Sequence, residues 1–208
     1  MSRPVRRLAP AFAAAALVLL GAPSVAPAQP EPFGRTCTAR EGVRFCPTAG
    51  LEQRVRSFDG VPIDVDVTLP ATGDGPFPTI LLLHGLGQTK TAFQRPDQGY
   101  SNWAFARRGY AVVTPTARGF GRSCGLPETR TAGCARGWAR LNDIRYEVRD
   151  IQRLVGLLVD QRVVRPDAIG STGVAGGCRS CSRTCGTVSC ARTARRPPGA
   201  PRAGPGSG

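Results

Sequence analysis

The chain has 208 residues, of which 41% are hydrophobic and 20% charged; this is the composition of a folded domain and excludes a collagen-like or wholly disordered chain. The net charge is +14, but three arginines near the start and six from Cys178 onward, with no acid in either stretch, leave the middle at +5. Charge so placed argues against a dedicated nucleic-acid-binding protein. Arg3, Arg6 and Arg7 precede an apolar run at 11–20, and Ala26-Pro27-Ala28 follows it. That layout predicts a secretory signal over residues 1–28, removed on export, and a secreted or cell-envelope location. The run is short for a bilayer span, so membrane contact is expected only through the signal during export. A retained anchor, or a twin-arginine route through Arg6-Arg7, is the alternative.

Residues 29–50 contain Pro and Gly and predict a surface wrap. An oxidising compartment makes disulfides available, and the close spacing of Cys37 with Cys46 and of Cys124 with Cys134 predicts two short closed loops. Residues 53–58 read as a strand, Asp59-Gly60 as a turn, and residues 62–69 as a second strand with alternating polarity. A loop of turn formers at 70–78 leads to Thr79-Ile80-Leu81-Leu82-Leu83, which then meets His84-Gly85. A continuous apolar run of this kind suits a strand buried on both faces, as in parallel sheets covered by helices.

Asn102 is placed to cap a short helix through Trp103, Phe105 and Ala106 that stops near Gly109. Residues 110–115 form the next strand, and 117–137 a long irregular connection. The clearest helix spans 141–159, with Ile144, Val148, Ile151, Val155 and Leu158 on one face. Pro166 and Asp167 end it, and a further strand starts at Ala168. The alternation of strand and helix predicts an α/β fold with a mostly parallel sheet.

Three features carry the chemistry. His84-Gly85-Leu86 after a buried strand suits an oxyanion loop, because glycine lets a backbone N–H turn toward a developing negative charge. His84 is the only histidine, and it reads as structural, since a triad base in this fold follows the nucleophile in chain order. Arg118-Gly119-Phe120-Gly121-Arg122-Ser123 forms a turn after the next strand. Ser123 lacks the strand-turn-helix setting of a nucleophile. The third feature, Ile169-Gly170-Ser171-Thr172-Gly173, looks like the strand before a nucleophile elbow. The elbow pattern is Gly-x-Ser-x-Gly, yet the residues here are Gly173, Val174, Ala175, Gly176 and Gly177. A methyl group at Ala175 cannot form an acyl-enzyme.

In order and spacing, residues 54–177 resemble the N-terminal half of the Xaa-Pro dipeptidyl-peptidase-like hydrolases, which include the cocaine-esterase-like acyl esterases. The resemblance rests on 58–69, 78–87, 111–123 and the Tyr146-Glu147-Val148-Arg149-Asp150 helix leading to Ile169-Gly170. It implies an incomplete α/β-hydrolase fold and a Ser-Asp-His mechanism on small esters or Xaa-Pro peptides. It also implies no cofactor or metal, and an oxyanion loop at His84, Gly85 and Leu86. The serine maps to Ala175, so no catalytic residue is intact.

From Gly170 onward only Gly, Ser, Thr, Val, Ala, Cys, Arg and Pro occur. That alphabet cannot build the buried helix expected after the elbow, and residues 178–208 read as a disordered, non-native tail. A shifted reading frame explains it. Cysteine codons begin TG, and moving the frame back one base gives NTG, which encodes Leu, Met or Val. Cys178, Cys181, Cys185 and Cys190 then become large aliphatic residues, the first three spaced as a helix stripe. The domain plan is therefore a signal (1–28), a wrap (29–50), half a hydrolase domain (51–177) and an out-of-frame tail (178–208). Two other readings of the tail are a zinc or disulfide module on its four cysteines and a basic arm for an anionic surface through Arg179, Arg183, Arg192, Arg195 and Arg196. The arm has no aromatic residue for base stacking, and no nucleic-acid partner is expected.

Overall fold

A computed structural model describes residues 30–173. The expected signal over 1–28, the expected elbow residues after Gly173 with Ala175, and the expected tail at 178–208 lie outside the described residues. Eight strands and two α-helices follow one another: β1 (Thr38–Arg40), β2 (Val43–Cys46), β3 (Val55–Arg56), β4 (Pro62–Ile63), β5 (Val65–Pro70), β6 (Phe77–Leu83), α1 (Asn102–Arg107), β7 (Ala111–Pro115), α2 (Glu147–Asp160) and β8 (Val164–Gly173). Six strands form one sheet in the order β1-β2-β5-β7-β6-β8, and β3 and β4 form a small separate ribbon.

Alternation along the central strands sets up the layers. Leu81, Leu83, Ala111 and Val113 face one side and pack with Ile151, Leu154, Val155 and Leu158 of α2. Leu82 and Val112 face the other side and pack with Trp103 and Ala106 of α1 and with Phe45. Successive strand residues point to opposite faces, so an unbroken apolar run fills both layers. The four α2 residues are spaced i, i+3, i+4 and i+7, and burying each contributes about 1.5–3 kcal/mol. The α/β architecture expected from the sequence is present.

The sheet itself is mixed, which corrects the expectation of a mostly parallel one. β6 runs parallel to β7 and β8, whereas β1, β2, β5 and β7 pair antiparallel in succession. A hairpin places β1 beside β2, the chain returns to β5 after the β3–β4 ribbon, and the helical crossovers through α1 and α2 produce the parallel neighbours. The wrap at 29–50 also contributes to the sheet. A tight turn at Glu41 and Gly42, both with positive φ, folds β1 onto β2, and β2 pairs with β5.

The expected strand at 62–69 is split at Asp64. β4 pairs with β3, then β5 joins the main sheet, because the Asp64 backbone is taken by Ser123 and Thr116 instead of a neighbouring strand. The expected strands at 53–58 and from 168 differ in extent: β3 is only Val55–Arg56, and β8 begins at Val164, carrying Pro166 through a register shift against β6. Such irregular positions are where strands accept proline.

Helix α2 starts at Glu147, six residues later than the periodicity suggests. Leu141 and Asn142 have φ of 55° and 66°, and the Glu147 carboxylate accepts from the Arg140 and Asp143 N–H groups at 2.6 and 3.0 Å. Ile144 is consequently 76% exposed and does not join the core face. In α1 the cap is Ser101, whose hydroxyl accepts from Ala104 N–H at 3.2 Å. Asn102 is already helical, and its amide donates to Thr68 on β5 at 2.8 Å.

Both expected disulfides are present, Cys37–Cys46 across the first hairpin and Cys124–Cys134 within the loop after β7. Sequence separations of 9 and 10 make each worth roughly 2–3 kcal/mol through the unfolded chain. The Cys124→Ser/Cys134→Ser protein is expected to unfold at lower urea than the parent by that amount, with an unchanged reduction effect at Cys37–Cys46. Equal urea midpoints would contradict it.

Candidate active site

The carboxyl ends of β6, β7 and β8 share one sheet edge, where ligands bind in open α/β sheets. Leu83 ends β6, and the chain turns through Gly85 and Gly87 (φ 76°). Gln88 closes this turn: its side-chain oxygen accepts from Gly85 N–H at 3.0 Å and its own N–H donates to Gly85 O at 3.2 Å. Leu86, at the tip, is 74% exposed.

His84 is buried at the base of this loop. Its Nε2 accepts from Ala117 N–H at 2.8 Å, so the proton sits on Nδ1, which donates to Gly85 O at 2.7 Å. Phe120 meets its ring edge-on. Both nitrogens are thereby spent on backbone, and the histidine pins the β6 loop to the β7 loop. Burial holds its pKa below the ordinary 6.5, partly offset by the Gly85 carbonyl. The unfolded chain therefore takes up this proton at higher pH than the folded one. Stability is complete above pH 6.5 and is lost as pH falls from there toward the lowered value. With no second histidine in the chain, His84→Gln is expected to flatten urea stability between about pH 7 and 5, where unperturbed carboxylates stay ionised. An identical slope in both proteins would refute the assignment.

Two buried ionic groups hold the loops. The Arg118 guanidinium, after β7, donates to Asp150 of α2 at 2.7 and 2.5 Å and to Asp59 beside β4 at 2.8 and 3.1 Å. Phe58 and Tyr146 lie against it, and Ser57 donates to Asp150. Burial works against its charge, but the bonds to the two aspartates outweigh that and hold its pKa above the ordinary value. The second group centres on Lys90, at the far end of the His84 loop. Its Nζ lies 2.8 Å from Asp64 and 2.6 Å from Asp66 and donates to Thr48 O at 3.3 Å. Its backbone N–H donates to Thr116 Oγ1 at 3.0 Å. The loop from His84 to Lys90 is thus anchored at both ends to the segment after β7.

Sequence reasoning passed over Lys90, Asp64 and Asp66. One signal was available: Lys90 is the only lysine among 28 basic residues. Ser123 is fully buried, donating to Thr116 O and accepting from Asp64 N–H, each at 2.8 Å. Its hydroxyl thus joins two backbones.

β8 completes the edge. Its register sets Gly173 opposite Leu83, so the strand delivers the chain next to His84. A side chain at Gly173 would stand 2.2 Å from Leu83 O, so only glycine permits this approach. A small cavity of about 40 Å³, lined in part by Leu83, His84, Thr116, Ala117, Glu147 and Asp150, lies under the same edge.

A mixed sheet between helices, a His-Gly loop after the central strand and a glycine-tight strand end beside it define an α/β-hydrolase framework. The sequence model of the X-Pro dipeptidyl-peptidase (S15) family matches residues 59–174, more than half of the chain, and the chain belongs to that family. A search of curated proteins returned no match. Similar solved structures include a candidate acetyl xylan esterase from Bacteroides fragilis, at 20% identity and TM-score 0.49, covering 70% of this chain and 42% of that one. A CocE/NonD family hydrolase from Staphylococcus aureus matches at 16% identity and TM-score 0.46, over 66% of this chain and 24% of its own. A post-proline cleaving enzyme from Rickettsia typhi matches at 19% identity and TM-score 0.44, over 66% of this chain and 18% of its own. The chain thus spans less than half the length of each.

Proposed function

We propose that this chain derives from an exported serine hydrolase that cleaves acyl esters or Xaa-Pro peptide bonds of small substrates, and that the polypeptide as written is inactive. The observation that carries the reading is the end of β8. Gly173 lies opposite Leu83, at the edge that carries the His84 loop, and the motif position that acyl transfer requires to be a hydroxyl is, in sequence, Ala175. Without a nucleophile there is no covalent intermediate, and at most a residual acceleration on the order of 10³ over water survives from an oxyanion hole and binding. Export is supported by the leader pattern and by two disulfides, which persist in oxidising compartments. A shift of reading frame accounts for the apolar-poor sequence from Cys178 onward.

The test has two arms. The purified chain is expected to show no turnover of p-nitrophenyl acetate or an Xaa-Pro anilide, and no labelling by a fluorophosphonate. Serine-dependent turnover or stoichiometric labelling would overturn the inactivity. Sequencing the coding DNA across codons 170–180 decides the frame: a stop within a few codons of the alternative frame would rule the shift out.

A further inference from the structure

β8 is an outermost strand of the sheet. Its inner side pairs in parallel with β6, and among the described residues no strand pairs with its outer side. An edge of this kind presents backbone N–H and C=O groups that accept another strand. The opposite edge, β1, offers little of this, since it is only three residues long.

The two halves of β8 differ. Arg165, Pro166 and Asp167 bring charge, a missing N–H and the register shift against β6, which are ordinary protections of an edge. Residues 169–173, Ile-Gly-Ser-Thr-Gly, carry no charge and no proline and pair with β6 in continuous register. Ile169 turns into the core against α2, and Gly170, Ser171 and Thr172 are half-exposed.

Alternation assigns the faces. Ile169 and Ser171 share the α2 side. Gly170 and Thr172 share the α1 side, where Thr172 Oγ1 lies 2.6 Å from the Tyr100 hydroxyl and the Tyr100 ring meets Phe105 of α1. A Cβ built on Gly170 meets nothing within 4 Å, so that side of the edge is open. In an antiparallel pairing about a two-fold axis, opposite residues share a face. Centred on Ser171, such a pairing sets Ser171 opposite the partner's Ser171 and Thr172 opposite the partner's Gly170. Small hydroxyls then meet on the α2 side, and each threonine fills the open space over a glycine on the α1 side. A centre one residue earlier sets glycine against glycine and leaves that space empty.

From this uncharged, self-complementary edge we infer that residues 169–172 of β8 pair with the same segment of a second copy of this chain, antiparallel about Ser171, so that the six-stranded sheet continues through a dimer. The inference rests on the strand edge and is independent of the catalytic reading above.

The test is sedimentation equilibrium of the full chain with its free thiols alkylated, so that cysteines after residue 177 do not link copies. A monomer–dimer equilibrium is expected that dissociates on dilution through the micromolar range, as small interfaces do. Amide exchange at residues 169–172 is expected to slow as the dimer forms, while β1 and β2 keep their rates. Ser171→Lys sets like charges directly opposite and is expected to weaken association about tenfold; Arg165→Gln, in the protected half, is expected to change it less than twofold. A monomer at every concentration, its edge bare or taken by the chain's own following residues, would overturn the inference. So would a dimer that protects other amides or is indifferent to Ser171→Lys. If Ser171→Lys fails to fold by circular dichroism, the concentration dependence of exchange in the parent chain decides it.

Discussion

Replacing Arg118 with methionine is expected to destabilise the domain by about 3–5 kcal/mol, the usual cost of breaking a buried ion pair from one side. The side chains of Arg118, Asp59 and Asp150 are 0%, 4% and 5% exposed. Methionine keeps much of the apolar stem yet leaves two carboxylates without their shared cation. Like charges in a dry site resist ionisation, so their pKa values rise above the unfolded ones. A group with a raised folded pKa loses stability as pH rises and regains it as pH falls. The deficit of Arg118→Met is therefore expected to shrink as pH falls from the raised values toward the ordinary carboxylate pKa of about 4. Urea unfolding of parent and variant at neutral and acidic pH measures it. Adding Asp59→Asn and Asp150→Asn should recover part of the loss, because the unpaired charges are then gone. A neutral-pH loss below about 1 kcal/mol, typical of a surface pair, would show that the network does not hold the corner.

Lys90→Met is the second large effect, again about 3–5 kcal/mol by the same mechanism. Asp66 retains donors from Thr48 N–H and Gln94 Nε2, each at 2.7 Å, whereas Asp64 loses its cation outright. Local consequences should differ from those of Arg118→Met. Lys90 anchors the far end of the His84 loop, so amide exchange is expected to accelerate first at residues 85–90, while α2 keeps its protection. Uniform acceleration across the sheet would contradict a local anchor. Arg is no substitute here: Lys90 meets two acids and a carbonyl as a compact charge, where a planar fork needs more room.

The split between sequence and structure runs along physical lines. The Thr79–Leu83 strand and the part of the α2 stripe formed by Ile151, Val155 and Leu158 were legible because periodic burial leaves a periodic pattern, whereas Leu154 joined that face only in the structure. The turn after Leu83 was legible because glycine suits a tight loop, as at Gly87 with φ 76°, and the disulfides because close spacing of cysteines limits the partners. The start of α2 was not legible. Leu141 and Ile144 fit the helical period, yet a Glu147 side chain seven residues from Arg140 closes the turn that stops the helix. The mixed sheet was also hidden, since pairing direction depends on which distant strands meet.

By itself, the sequence determined the α/β class and the family resemblance, which are properties of residue identity and local order. Only the tertiary structure decided that Lys90, Asp64 and Asp66 form one buried group and that Arg118 bridges two aspartates 59 and 32 residues away. Charge compensation is a matter of distance in space, and the partners lie too far apart along the chain for any spacing rule to reveal them.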